Sequence, residues 1–391
     1  MKYSSDRLSC VKRGKKMIYT RPDYFDKFEC IAGRCPDTCC AGWQIVIDKE
    51  SMKKYKNYKG DYVWNVMGCV DWETETFRQD ENKRCAFLNK SNLCDLYTNA
   101  GKEYLCKTCR EYPRHTEEFE DVREITLSIS CPEVARILME QLEPVKFISE
   151  ENQEVEETED FADFDPFLFS ILEDARKEMI QILQNRTIPM KERIVLVLGM
   201  AHDMQGRINR SDMFACSDVI EKYTTDRAKN FVKKYVSQKN MKEEEELIKE
   251  LFAKLYKLEV LREDWEYILR KTQKTLFFSR QGSYTQLYGE FEIYKKEHPE
   301  IEIHLEQILV YFLFTYFPGA VYDGAVFAKA QMSVFCVWMV ELLWMADWIS
   351  SGRNLEKTRM TELLYRFSRE VEHSDQNLQK LDKIMEKKYI L

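Results

Sequence analysis

Eleven of the 13 cysteines in this 391-residue chain fall at or before position 131, leaving Cys216 and Cys336 for the remaining two thirds. Thiols used only as small apolar packing residues would follow the core they fill rather than crowd into one end. The crowding therefore marks a site, and the compartment decides its kind. Secreted chains that keep disulfides are led by a signal with an apolar stretch. Residues 1–16 are basic and polar throughout. The expectation is a cytoplasmic protein with reduced thiols, and clustered thiols in such a compartment hold a metal or an iron–sulfur cluster, with redox-active thiols or disulfides as the alternative.

Nine cysteines follow a ligand-like pattern. Cys30, Cys35, Cys39 and Cys40 open it, ahead of the β-branched run Gly42–Asp48, which suits a strand. Cys85 and Cys94 flank a turn at Asn89–Asn92, as knuckle ligands on a hairpin do. Cys106 and Cys109 form a CxxC, whose spacing lets two sulfurs face one centre from a single tight turn. Residues 125–130 alternate like a strand and lead into Cys131-Pro132. Proline suits the first helical position, so Cys131 is expected at a helix N-cap, where the helix dipole favours a thiolate. Nine thiols exceed what one four-ligand centre takes. The preferred set is Cys35, Cys39, Cys94 and Cys109, followed by Cys40, Cys85 and Cys131, with Cys30 and Cys106 as the remaining candidates. Adjacent Cys39 and Cys40 are expected to diverge, because consecutive side chains of an extended chain do. Cys10, Cys69, Cys216 and Cys336 read as packing residues.

The rest of the chain reads as mainly α: a small cysteine-rich N-terminal module with a few short strands, then a helical domain. Glycine and proline are scarce, 13 and 9 residues, which favours long helices over loop-rich β structure. The divisions expected are a disordered basic extension over 1–16, the cysteine-rich module over 17–146, an acidic linker over 147–166 and the helical domain over 167–391. The linker stretch holds nine acidic residues and no lysine or arginine, the composition of a solvated tether. Residues 308–317 and 325–348 are the most apolar part. Lys329, Glu341 and Asp347 interrupt it, so it reads as a buried helix pair, with a peripheral membrane face as the alternative. A net charge of −8 gives no basic stripe for nucleic acid.

The cysteine pattern, with Gly42-Trp43, Leu105, Thr108, Tyr112-Pro113-Arg114 and Ser130 around it and the closing Ser368-Arg369-Glu370…Glu372-His373-Ser374, resembles the flagellin lysine-N-methylase family. That family falls within the metal-binding group named for a CxxCxxCC-like motif. The resemblance implies methyl transfer from S-adenosylmethionine to surface lysines of flagellin in the cytosol, with a [4Fe–4S] cluster held by the cysteines. The residues themselves offer no glycine-rich strand–turn–helix for that cofactor. Cys35-x3-Cys39-Cys40 also departs from the CxxxCxxC of radical S-adenosylmethionine enzymes.

Two readings follow. One is an iron–sulfur-dependent protein-lysine N-methyltransferase. The other is a non-catalytic protein in which zinc or iron stabilises the module and the helical domain binds a partner. His373, among Arg369, Glu370, Glu372 and Asp375, is a candidate catalytic residue, against a plain ion-pair cluster on a helix surface. Arg110 and Arg114 are candidates to grip a cofactor carboxylate, or simply to balance thiolate charge.

Overall fold

The computed structural model describes residues 14–157, 163–238 and 240–386. Its first part contains β1 (Gly14–Pro22), α1 (Lys49–Lys56), α2 (Val63–Cys69), β2 (Val70–Asp71), β3 (Thr76–Phe77), α3 (Asp95–Ala100), α4 (Lys107–Glu111), β4 (Arg114–Phe119), β5 (Val122–Leu127), α5 (Pro132–Glu140) and β6 (Phe147–Glu157). Helices then run almost without interruption: α6 (Pro166–Gln184), α7 (Met190–Ile208), α8 (Cys216–Thr224), α9 (Asp226–Ser237), α10 (Met241–Leu255), α11 (Trp265–Phe277), α12 (Tyr284–Glu297), α13 (Glu300–Tyr316), α14 (Ala320–Asp323), α15 (Val326–Ser350), α16 (Lys357–Glu372) and α17 (Asp375–Met385). The protein is mainly α.

Two expected boundaries are corrected. The acidic stretch is a strand over Phe147–Glu157, because β1 pairs with its backbone. β6 pairs antiparallel with β1, in a sheet ordered β4-β5-β1-β6. Lys16 meets Glu151 at 3.1 Å and Arg21 meets Glu150 at 3.4 Å, while Phe147 stacks on Phe314 with centroids 3.9 Å apart. Gly14–Lys16, expected in the disordered extension, begin β1 and lead into fully buried Met17; residues 1–13, with Cys10, and 158–162 lie outside the described residues. The run Gly42–Asp48 forms no regular strand. It keeps the alternation of one, with Ile45 and Ile47 buried around exposed Val46, but only the single bridge Val46 to Thr76 pairs it.

Apolar burial divides elsewhere than at residue 146. Ile45, Ile47, Met52, Tyr55, Val66, Val70, Phe77, Phe87 and Leu96 form a small core of their own. Tyr24, Phe119, Leu127, Ile129 and α5 join the helices in the large core instead. A buried ion pair clamps this junction: Arg176 of α6 binds Glu124 of β5 and donates to the Phe314 carbonyl at 3.0 Å.

The helices follow their sequence signals. Asp165 caps α6 by accepting from the N–H groups of Phe167 and Leu168, with Pro166 at the first position. α13 and α15 are apolar on nearly every face, which requires burial on all sides. The turn joining them closes at Gly324, φ 68°, a conformation glycine adopts without steric cost. α15 is long and apolar enough to cross a membrane, yet most of it is buried against neighbouring helices.

Candidate functional site at the seam between the thiols and α16

The turn after β5 brings the site together. Ser128 and Ser130 exchange a hydroxyl hydrogen bond of 2.6 Å, and Cys131 N-caps α5 as its Pro132 suggests. α16 packs across this turn. Arg369, 4 % exposed, donates from Nε to the Ser130 carbonyl at 2.8 Å and from a terminal nitrogen to the Asp37 carbonyl at 2.7 Å. It also pairs with the Asp37 carboxylate at 2.9 Å, which Arg262 contacts at the same distance. One arginine of the helical domain thus ties the Cys35–Cys39 loop to the residue before Cys131. Charge-assisted bonds of this kind are the strong ones.

His373 lies at the end of α16, inside the seam rather than on a helix surface. Its Nε2 is 2.8 Å from Ser130 Oγ, and Tyr112 reaches the same hydroxyl at 3.0 Å. Trp43 packs over its ring at 4.8 Å and hydrogen-bonds the Cys39 carbonyl at 2.7 Å. Burial, reinforced by Arg369, lowers the histidine to about 3, so the imidazole is neutral at physiological pH. Beside it Glu372 accepts from Tyr311 at 2.5 Å, Tyr316 at 2.7 Å and Ser128 at 3.2 Å, and from Ser368.

The nine candidate thiols fall on two sides of one peptide bond. Cys30, Cys35, Cys39 and Cys131 neighbour one another at the seam, and the Cys35 thiol donates to the Asp37 carbonyl at 3.2 Å. Cys40, Cys85, Cys94, Cys106 and Cys109 border the small core. The Cys85 N–H bonds the Cys40 carbonyl at 2.8 Å, Cys94 and Cys109 lie within electrostatic reach of Cys40, and Cys106 is hydrogen-bonded to Cys109. The preferred four are therefore divided: Cys35 and Cys39 stand at the seam, Cys94 and Cys109 inside. Cys39 and Cys40 touch instead of diverging, because a turn, not an extended chain, carries them. Cys69, read as packing, borders the small core near Cys85. Cys216 and Cys336 are fully buried among helices, as packing thiols should be.

Burial pushes Cys85 up to about 12 and Cys131 up to about 11, which keeps both as neutral thiols near pH 7. Nearby backbone N–H groups, those of Phe87 for Cys85 and of Glu133 and Val134 for Cys131, partly offset this burial. Such donors favour the charged form. Among the described residues no three metal-binding side chains converge on one ion.

The two arginines singled out in the sequence do not face the thiols. Arg110 is exposed and donates to the Leu105 carbonyl at 3.2 Å, and Arg114 lies over the rings of Phe25 and Phe28 at 5.8 and 5.3 Å. The cations beside the sulfurs are Arg369, near Cys35 and Cys131, and Arg84, near Cys40. Arg84 could have been suspected from its place next to Cys85. Arg369 belongs to the closing Ser368-Arg369-Glu370 motif, but nothing in that motif tied it to thiols more than two hundred residues earlier.

A cavity of about 100 Å³ adjoins the seam, lined by Leu255, Trp265, Leu269, Phe367, Asn377 and Glu370. Burial raises the Glu370 carboxyl to about 7, outweighing its bonds from the N–H groups of Leu261 (2.8 Å) and Arg262 (2.9 Å). Arg262 connects this cavity to Asp37, donating from its backbone N–H to Glu370 and from its guanidinium to the Asp37 carboxylate.

Known proteins share parts of this chain. It is 29% identical over 133 residues to the Lysine-N-methylase of Salmonella typhimurium (strain LT2), covering 32% of this chain and 33% of that protein. It is equally similar, over the same length, to the Flagellar biosynthetic protein FliU of Salmonella muenchen, covering 79% of it, and to the Lysine-N-methylase of Salmonella choleraesuis, covering 33%. The match thus spans about a third of the length of those lysine-N-methylases. No solved structure matches. The family model described as the FliB lysine N-methylase C-terminal domain matches residues 176–390, more than half of the chain, and the protein belongs to the FliB lysine N-methylase family.

Proposed function

We propose that this protein is an S-adenosylmethionine-dependent protein-lysine N-methyltransferase acting on surface lysines of flagellin in the cytosol, with an iron–sulfur cluster on its cysteine-rich module. The observation that carries the reading is the family match over residues 176–390: this region supplies Arg369, which lies beside Cys35 and Cys131, and with it Glu370 and His373. The relatives' names add lysine methylation and flagellar biosynthesis.

The cysteines named above would hold the cluster, which when bound supplies an iron with an open coordination position able to take amino and carboxylate groups. The chain's own residues prepare the amine. A lysine near pKa 10.4 must lose a proton before it attacks a methyl group. His373 is too weakly basic to accept that proton, and its contacts make it a positioning residue for Ser130 and Trp43. Glu370 is the better acceptor, because its carboxyl titrates near neutrality at the edge of an apolar slot, the poise a general base needs. The methylene stem of the substrate lysine lies along Trp265 and Phe367, and its amine faces Glu370.

The test is methylation of purified flagellin by anaerobically prepared protein, read by mass spectrometry. Glu370→Gln is expected to lower kcat by about 10²–10⁴-fold and to remove the limb of the pH profile near 7. An unchanged kcat in that variant rejects Glu370 as the base. Absence of methylation by metal-loaded wild type rejects the enzyme and leaves the metal-stabilised interaction protein.

A further inference from the structure

Glu370 is held from outside its own helix. Each of its carboxylate oxygens accepts one backbone N–H of the irregular segment 256–264 between α10 and α11, from Leu261 at 2.8 Å and from Arg262 at 2.9 Å. We propose that Arg262 is a positioning residue for Glu370, anchored to Asp37 of the cysteine-rich module. The proposal rests on the reading of Glu370 as the base.

A segment outside helices and sheets has no backbone ladder to steady it, so its amides keep their place only where other groups pin them. Buried Asn377 does so at Glu259, accepting its N–H at 2.8 Å and donating to its carbonyl at 2.9 Å. At Leu261 the tie to the module is the exposed Lys83 ammonium, 3.1 Å from the carbonyl. Exposed charges held by a flexible side chain contribute little. Arg262 makes the sheltered tie. Its guanidinium donates to the Asp37 carboxylate at 2.9 Å, and that carboxylate is 10 % exposed and shared with Arg369. The module leaves room for this side chain: a Cβ on Gly42 would stand 3.2 Å from Arg262 Cδ, and Gly42 has φ 91°, a conformation that favours glycine.

Direct contacts thus run from the Cys35–Cys39 loop to the base through the Asp37 carboxylate, the Arg262 guanidinium and the Arg262 N–H, without passing through a thiol. Losing the Arg262 side chain lets the two amides drift. The carboxylate then loses donors that favour its charged form, so its proton affinity rises, and its oxygens leave the position from which they face the amine. Charge alone gives the opposite sign at one position. The charged groups facing Glu370 are Arg262 and Asp264 of the segment, Glu259 and Glu266 across the cavity, and Arg366 and Arg369 of its own helix, with Asp37 beyond them. Asp37→Asn removes a negative charge from this set, which by charge alone lowers the Glu370 pKa; loss of the anchor raises it.

Amide hydrogen exchange over 256–264 and pH profiles of kcat and KM with purified flagellin are measured on the anaerobically prepared whole chain carrying Arg262→Met, Arg262→Lys or Asp37→Asn. Arg262→Met is expected to lose protection in that segment and to lower kcat by up to about 10²-fold, with a much smaller change in KM. It is also expected to move the limb near 7 to higher pH. Arg262→Lys, which keeps the charge and most of the reach, is expected to restore most of the kcat. Asp37→Asn is expected to move the limb in the same direction as Arg262→Met, and it decides the matter should that variant fail to fold. Wild-type protection over 256–264 in Arg262→Met overturns the proposal, as does a limb that stays or falls in Asp37→Asn. Exchange needs no turnover, so the two readings fail separately: an unaffected kcat in Glu370→Gln removes the base, while unaltered exchange removes the tie.

Discussion

The large helical core and the small cysteine-bordered core are closed by different forces. In the large one, α13 and α15 bury nearly every side chain, including Trp344, Phe312 and Phe335, so apolar area alone supplies the drive. In the small one, nine apolar residues are ringed by Cys40, Cys69, Cys94 and Cys109, with Cys85 and Cys106 inside. The difference teaches where chemistry can be placed. A core closed by packing tolerates little change, because protein interiors are close-packed. A small core bordered by thiols leaves those thiols at its edge, while α16 docks beside it, on the turn after β5 and the Asp37 loop.

If the sheet and the helices form one cooperative unit while the small core is separate, cutting their clamp should have the largest effect. Arg176→Leu leaves Glu124 buried without its partner and should cost about 3–5 kcal/mol. Calorimetry should then show the large core melting at a clearly lower temperature. An unchanged melting temperature would contradict the clamp's share in holding the sheet to the helices.

An intermediate effect comes from pH, with one histidine in each region. His373 is lowered to about 3 at the seam and His304 to about 4 in the large core, both chiefly by burial, from an ordinary 6.5. Below pH 6.5 the unfolded chain takes up a proton at each site that the folded chain refuses. Their stability is therefore full above 6.5 and lost as pH falls towards 4 and 3, at roughly 1.4 kcal/mol per pH unit per site. Glu370 acts in the opposite sense. Its raised pKa, about 7 against 4.5, makes stability fall as pH rises through that window. Denaturant midpoints between pH 7 and 5 should flatten in His373→Gln and His304→Gln separately. Equal, additive flattening would support two independent sites, and no flattening in either would contradict the neutral burial of these rings.

The smallest effect belongs to the charges that pair β1 with β6. Lys16 and Glu151 are both about half exposed, and exposed pairs contribute little. Lys16→Ala should change stability by under about 0.5 kcal/mol. A larger loss would mean that charge, rather than the backbone ladder and the Phe147–Phe314 stack, holds the acidic strand.

Much of this molecule was legible in its residues. Clustered cysteines gave the module, helical periodicity gave α6 to α17, and Pro132 placed Cys131 at its cap, because each of these signals is local. The acidic stretch was misread because its partner strand lies more than a hundred residues earlier, and composition alone makes an unpaired run of carboxylates look solvated. The same limit hid the site. Spacing could nominate nine thiols but could not sort them, since the turn at Cys39–Cys40 and the helix that pins it are set by packing across the chain. Local sequence determined which side chains have the chemistry. Tertiary structure alone decided which of them meet, because Arg369 reaches Asp37, Ser130 and the neighbouring thiols, and His373 reaches Ser130, only when α16 is buried against the turn after β5.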